Sequence, residues 1–241
     1  MDSENFIRER LGGKLLGARN YLEYFPIDAT NDLLDVGCEK GTEFVAYWQG
    51  GAKWRLAVGV DHNAACIQTA SDIADALQIP SLSFRVADAV KLPFAAGNFD
   101  KVLAIDLIQY ITDPQQAFNE LVRVLKPGGL LLITFPGFWH RALTGASRLK
   151  SRLRGKTWHG GGSLSVSNQT IPQWLTLADN SPSSTMLVKS RATTLFPPLQ
   201  RYGIPRFWFT NNAVHAIDSF FGSLPVLKRF GQALMCVYKK I

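Results

Sequence analysis

The side chains best placed for chemistry are carboxylates that close apolar runs. The first lies in residues 33–42 (LLDVGCEKGT), where the run DLLDV ends in a turn bracketed by Gly37 and Gly41. Glycines there let the backbone bend sharply and come close to a ligand. The following TEFVAYWQ has helical spacing, so its unpaired N–H groups and positive dipole end face the turn. In a doubly wound sheet this is where a nucleotide-like cofactor binds. Asp61 closes the next apolar run, RLAVGVD, 20 residues after Gly41. A carboxylate at that spacing can accept hydrogen bonds from a ribose diol. A hydroxyl acceptor would also need a general base. Asp106, His140, His159 and His215 are the candidates, with His140 first because it follows the fifth strand near the expected cleft.

These residues need a frame, and hydrophobic periodicity supplies one. Strands are expected at 32–36, 55–61, 82–87, 98–106 and 130–134, with helices at 42–49 and 63–78 between them. In the second helix Ala64, Ile67, Ala70, Ile73, Ala74 and Leu77 share a face. A third helix begins at Asp113 as N-cap, with Pro114 in its first turn and Gln116 three residues after the cap, and buries Phe118, Leu121, Val122 and Leu125. Pro127-Gly128-Gly129 then stops that helix and turns the chain back into the sheet. A short helix at 171–178 and strands at 185–195 and 233–238 complete the frame. Residues 1–30 read as an N-terminal helical extension with Leu11, Leu15, Leu16, Tyr21 and Leu22 as its apolar stripe, broken by Pro26.

The loop D-V-G-C-E-K-G does not have the dinucleotide spacing G-x-G-x-x-G. It resembles the D-x-G-x-G-x-G loop of class I S-adenosylmethionine-dependent methyltransferases, with Glu39 at the middle glycine. A-D-A-x-x-L-P-F at 87–94 resembles that family's third-strand motif, Phe99-Asp100 its F-D-x-V, and L-K-P-G-G at 125–129 the approach to its fifth strand. The pieces run in order over residues 32–135, and the chain looks most like the ubiquinone-biosynthesis group of small-molecule methyltransferases.

The resemblance implies an α/β, Rossmann-like seven-stranded sheet of order 3-2-1-4-5-7-6 flanked by helices, with only the last strand reversed. It implies S-adenosylmethionine as cofactor and S-adenosylhomocysteine as product. Asp35, Gly37, Cys38, Gly41, Asp61, His62, Asp88, Ala89 and Asp106 would line the cofactor pocket, with Asp88 accepting from the adenine amino group. His140, Asp106 and Tyr110 would serve catalysis. Relatives often carry L-x-H or E-H where this chain has Gln109-Tyr110. The whole chain, 1–241, would be one domain with a basic insertion at 137–163 and an aromatic insertion at 196–231.

Composition bounds the rest. With 241 residues and 46% hydrophobic content, the chain can bury a full core. No uninterrupted apolar run reaches the roughly 18 residues of a transmembrane helix, and the polar start lacks a signal-peptide pattern. Cys38, Cys66 and Cys236 show neither metal spacing nor a disulfide framework, which fits a reducing cytoplasm. Residues 1–120 hold 10 Lys and Arg against 17 Asp and Glu, while residues 121–241 hold 16 against 2. The acidic half suits a cationic sulfonium. The basic half should meet an anion: a phosphate-bearing substrate, a membrane surface or nucleic acid. Within it, Arg148, Lys150, Arg152, Arg154 and Lys156, and the aromatic stretch from Phe207 to Phe230 with Lys228 and Arg229, suit an anionic membrane at its inner face.

The expected function is methyl transfer to the oxygen or carbon of a small-molecule or lipid-linked acceptor. An RNA methyltransferase using the basic half, a non-catalytic binding protein of the same fold and a nicotinamide-dependent oxidoreductase are the alternatives. No N-P-P-Y or Pro-Cys signature points to a nucleic-acid base, no RNA-binding motif accompanies the aromatics, and no P-loop or hydrolase elbow is present.

Overall fold

The computed structural model describes residues 24–137, 169–193 and 233–241, together with Leu153 and Phe221. The stripe at 11–22, His140, His159 and His215 lie outside the described residues, as do nearly all of the basic and aromatic insertions. Seven strands form one sheet: β1 (Asp32–Val36), β2 (Leu56–Asp61), β3 (Leu82–Val86), β4 (Phe99–Ala104), β5 (Leu125–Pro136), β6 (Thr185–Thr193) and β7 (Ala233–Lys240). Their order is β3-β2-β1-β4-β5-β7-β6, as expected from sequence. The first five strands pair in parallel, and β7 runs antiparallel to both of its neighbours. Central in the sheet and covered on both faces, β1 is buried at every position, Asp32 and Asp35 included.

Helices cover both faces. On one side α1 (Thr42–Gln49) packs Phe44, Val45 and Tyr47 against Leu33, Leu103 and Leu132, with Phe25 from the segment before β1. The helix α2 (Ala64–Ala76) buries Ile67, Ala70 and Ala74, and its Asn63 cap accepts from the N–H groups of Ala65 and Cys66. Ala64, expected on the buried face, is exposed because it sits at the solvent-facing first turn. On the other side α3 (Pro114–Arg123) and α4 (Ile171–Asp179) pack Phe118, Leu121, Trp174 and Leu177 onto Leu34, Val102, Ile133 and Phe135. The Asp113 carboxylate caps α3 as expected, accepting from Gln116 N at 2.9 Å. Among the described residues no helix is long and apolar enough to cross a membrane.

Two expectations near the fifth strand need correction. Pro127-Gly128-Gly129 does not stop α3, which ends at Arg123, and Leu125 belongs to β5 rather than to the helix. Phe99 pairs with Leu125 and Lys101 with Leu130, so residues 126–129 bulge out against the single residue Asp100. Gly128 has φ +78, and a Cβ on Gly129 would lie 2.9 Å from Lys126 O and 3.0 Å from Asp100 O. The two glycines therefore make a strand bulge, and the bulge swings Lys126 back over the sheet. Its Nζ reaches Asp100 Oδ2 at 2.9 Å and Asp32 Oδ2 at 3.1 Å, and Arg55 also pairs with Asp32. The F-D and L-K-P-G-G motifs thus meet in an ion cluster at the amino ends of β1 and β4, away from the cofactor end.

This cluster makes stability depend on pH. Partial burial opposes ionisation of Asp100, but the Asp32 N–H and the Lys126 ammonium outweigh it and hold the carboxyl below its ordinary value. A depressed carboxyl stabilises the fold above its unfolded pKa, about 3.9, and that contribution disappears as the pH falls through the folded value. Thermal unfolding of the wild type should lose midpoint temperature on acidification below about pH 4, and Asp100→Asn should flatten the part due to this carboxyl. An Asp100→Asn profile parallel to wild type would remove the cluster from that role.

Candidate functional site

The carboxyl ends of β1, β2, β3 and β4 meet at the point where strand order reverses, the usual position of a ligand crevice in such sheets. At β1 the chain leaves the sheet through three left-handed residues within five: Gly37 (φ +80), Glu39 (φ +50) and Gly41 (φ +69). Val60 O accepts both Gly37 N at 2.8 Å and Cys38 N at 3.0 Å, folding the loop over the end of β2. Gly41 N donates to Cys38 O at 2.8 Å and closes the turn into α1.

The glycines do different work from one another. A Cβ on Gly37 would meet Leu107 Cδ1 at 2.8 Å, so the chain leaving β4 packs directly on this glycine. A Cβ on Gly41 would meet Phe84 Cζ at 2.7 Å. Close approach to a neighbouring ring, in addition to backbone bending, therefore requires glycine at 41. Glu39, at the middle-glycine position, adopts the left-handed conformation despite its side chain, and its N–H donates to Asp61 Oδ2 at 3.0 Å. The exposed Glu39 side chain leaves the loop path intact.

Asp61 is the hub of this end. Its side chain is 12% exposed and accepts from Glu39 N through Oδ2 and from Asn63 N through Oδ1 at 2.9 Å. His62 Nδ1 lies 3.3 Å from Oδ1, with the ring largely exposed. Asp35 is buried inside β1 at 2% exposure. Cys38 is buried beside it; burial first, then the charges of Asp35 and Asp61, push its thiol well above the ordinary range. Cys38 is thus a neutral packing residue rather than a nucleophile.

Asp88 follows β3 in an exposed turn, with Oδ1 accepting Val90 N at 3.0 Å, and Ala89 is buried against the core beside Leu92. The loop after it is tied down by α3. Glu120 Oε2 accepts Leu92 N at 2.8 Å, and Arg123 binds Glu120 while donating to Phe94 O at 2.8 Å and Leu92 O at 3.1 Å. Hydrogen bonding from Arg123, helped by Leu92 N–H and against partial burial, holds the Glu120 carboxyl below its ordinary value.

At β4 the fourth strand ends at Ala104 rather than 106. The reason is local: Asp106 has φ +51, which no strand residue adopts. Its N–H donates to Thr134 Oγ1 of β5 at 2.7 Å, and its carbonyl accepts Gln109 Nε2 at 3.0 Å. Tyr110 N then donates to Leu107 O at 2.9 Å, closing a short 3-10 turn at Ile108–Tyr110 with Tyr110 half-buried. Strained backbone of this kind collects at functional sites.

Asp35, Gly37, Cys38, Gly41, Asp61, His62, Asp88, Ala89, Asp106 and Tyr110 therefore all lie at or beside the carboxyl-end turns of β1 to β4. Sequence reasoning missed Thr134, Phe84 and the contact of Leu107 with Gly37. Thr134 had left a signal, one polar residue in the apolar strand LLLITF, and it is 1% exposed. Leu107 and Phe84 carried none, because packing against a glycine depends on which strands are neighbours.

The donor set fits an adenosine-bearing sulfonium: a tight loop for close backbone approach, a carboxylate for a ribose diol and a second carboxylate for an exocyclic amine. A family model described as a methyltransferase domain matches residues 34–133. Methyltransferase GfsG of Streptomyces halstedii is 32% identical over 112 residues, 46% of this chain and 40% of that protein. A ubiquinone biosynthesis O-methyltransferase of Coxiella burnetii is 29% identical over 102 residues, 42% of each chain. The chain thus spans about two-fifths of the length of these curated relatives. A solved geranyl diphosphate C-methyltransferase of Streptomyces coelicolor, in complex with S-adenosyl-L-homocysteine, superposes with TM-score 0.63 at 16% identity, covering 95% of this chain and 79% of its own. The matched segment holds every strand-end turn described above, and the seven-stranded sheet has the fold of class I, S-adenosylmethionine-dependent methyltransferases.

Proposed function

We propose that the chain transfers the methyl group of S-adenosylmethionine to an oxygen or carbon of a small-molecule or lipid-linked acceptor. The observation that carries this reading is the loop 37–41 folded onto Asp61 at the point where strand order reverses. The bound cofactor supplies the electrophilic methyl group, so the chain's own work is to bind, orient and exclude water. In this reading Asp61 accepts from the ribose hydroxyls and Asp88 from the adenine amino group. Leu107, seated on Gly37, closes the crevice wall from the β4 side. Asp106, fixed by Thr134, and Tyr110 border the acceptor side. His140 is four residues beyond the end of β5 at Pro136 and is the base proposed for a hydroxyl acceptor.

The relatives named as small-molecule methyltransferases support the acceptor class. We place the protein in the cytoplasm, where its three cysteines, two of them buried, would stay reduced, and read 1–241 as one domain with two insertions. Incubation with methyl-labelled S-adenosylmethionine and fractionated small-molecule, lipid and RNA extracts tests the reading. Label should enter the small-molecule or lipid fraction and depend on Asp61. Label confined to RNA would assign the basic half to nucleic acid instead. Cofactor binding with no transfer to any fraction would favour a binding protein.

A further inference from the structure

The far edge of the sheet carries a surface that methyl transfer does not use. Met186, Leu187 and Val188 of β6 are 51%, 43% and 47% exposed, and Ile241 is 72% exposed. Ile241 N donates to Ser184 O at 3.0 Å, which sets the last residue beside the start of β6. Leu187 pairs with Tyr238 and Lys189 with Val237, so Val188 is an extra residue bulged from the edge.

Charge on this edge is one-sided. Paired residues on neighbouring strands share a face. Met186 pairs with Lys239, Lys189 with Val237 and Arg191 with Met235. Residues 235, 237 and 239 alternate along β7, so Met186, Lys189, Arg191 and Lys239 lie on one face. Neither β6 (TMLVKSRAT) nor β7 (ALMCVYKK) contains an acid. Lys189 and Arg191 both lie over the Tyr24 ring, 4.3 and 5.1 Å from its centroid, which holds these cations side by side. The bulge also interrupts the edge ladder, a device that blocks pairing with another strand. Side chains rather than backbone groups are thus offered outward.

We propose that this edge, Met186 to Val188 with Ile241, Lys189 and Lys239, docks peripherally on an anionic lipid bilayer. Apolar side chains enter the headgroup boundary while the cations meet lipid phosphates and carboxylates. The proposal does not depend on the acceptor or on catalysis.

Co-sedimentation with vesicles tests it on the full chain without cofactor. The wild type should pellet with phosphatidylserine–phosphatidylcholine vesicles at low ionic strength, release as salt rises, and ignore pure phosphatidylcholine vesicles. Each cation at an anionic surface is worth about fivefold in partitioning, so Lys189→Glu with Lys239→Glu should lower it by at least about 25-fold. Both side chains are exposed, so the thermal midpoint should hold. Met186→Ser with Val188→Ser should weaken binding without changing its salt response. Absence of wild-type binding at low salt, or unchanged binding of the charge-reversed variant, would overturn the proposal. So would a wild-type dimer in light scattering that Val188→Asp dissociates, since that result would give the edge to a second copy of the chain.

Discussion

Replacing Asp61 by alanine should weaken binding of S-adenosylhomocysteine by about 3 kcal/mol, more than a hundredfold. Two losses add. The ribose diol loses a charged acceptor, at about 1.5–3 kcal/mol for such a hydrogen bond. The loop also loses its anchor, because Asp61 receives the N–H groups of Glu39 and Asn63. Asp61→Asn separates the two losses: one side-chain oxygen still accepts, so the loop is partly held while the charge is gone. Calorimetric titration of both variants, with circular dichroism to verify folding, reads the difference. A folded Asp61→Ala protein with wild-type affinity would remove Asp61 from the pocket.

Gly41→Ala should destabilise the fold by about 3 kcal/mol. A left-handed backbone at φ +69 costs an alanine roughly 1–2 kcal/mol. Its Cβ would then lie 2.7 and 2.9 Å from two Phe84 ring atoms and 3.2 Å from Ala70 Cβ. Overpacking of that kind costs about 1–3 kcal/mol. Phe84→Ala removes the ring, so the double variant isolates the backbone part. In a double-mutant cycle, adding Gly41→Ala to Phe84→Ala should cost only about 1–2 kcal/mol. An equal penalty in both backgrounds would show that the ring contact contributes nothing.

Most of the frame was legible because the strands that matter are buried on both faces and read as apolar runs. The whole of β1 and the helix at 42–49 were read at their observed bounds, and the sheet order is the one implied by the family resemblance. The errors share a cause. Pro127-Gly128-Gly129 has the composition of a helix stop, yet its partner across the sheet, Asp100, turns it into a bulge. Residues 98–106 look like one strand, yet Thr134 on the next strand holds Asp106 in a left-handed turn. In each case a long-range hydrogen bond decided what local propensity left open. The positions of Asp61 and Asp88 at the ends of β2 and β3 were legible because the apolar runs stop there. The contacts made by Thr134, Leu107 and Phe84 became visible only once neighbouring strands were known.

The cofactor pocket proposed at the ends of β1 to β4 is tested most directly by titrating the wild-type chain calorimetrically with S-adenosylmethionine and, separately, with NAD. Saturable single-site binding of S-adenosylmethionine, lost in Asp61→Ala and absent for NAD, is the expected result. Saturable binding of NAD with none of S-adenosylmethionine would contradict it.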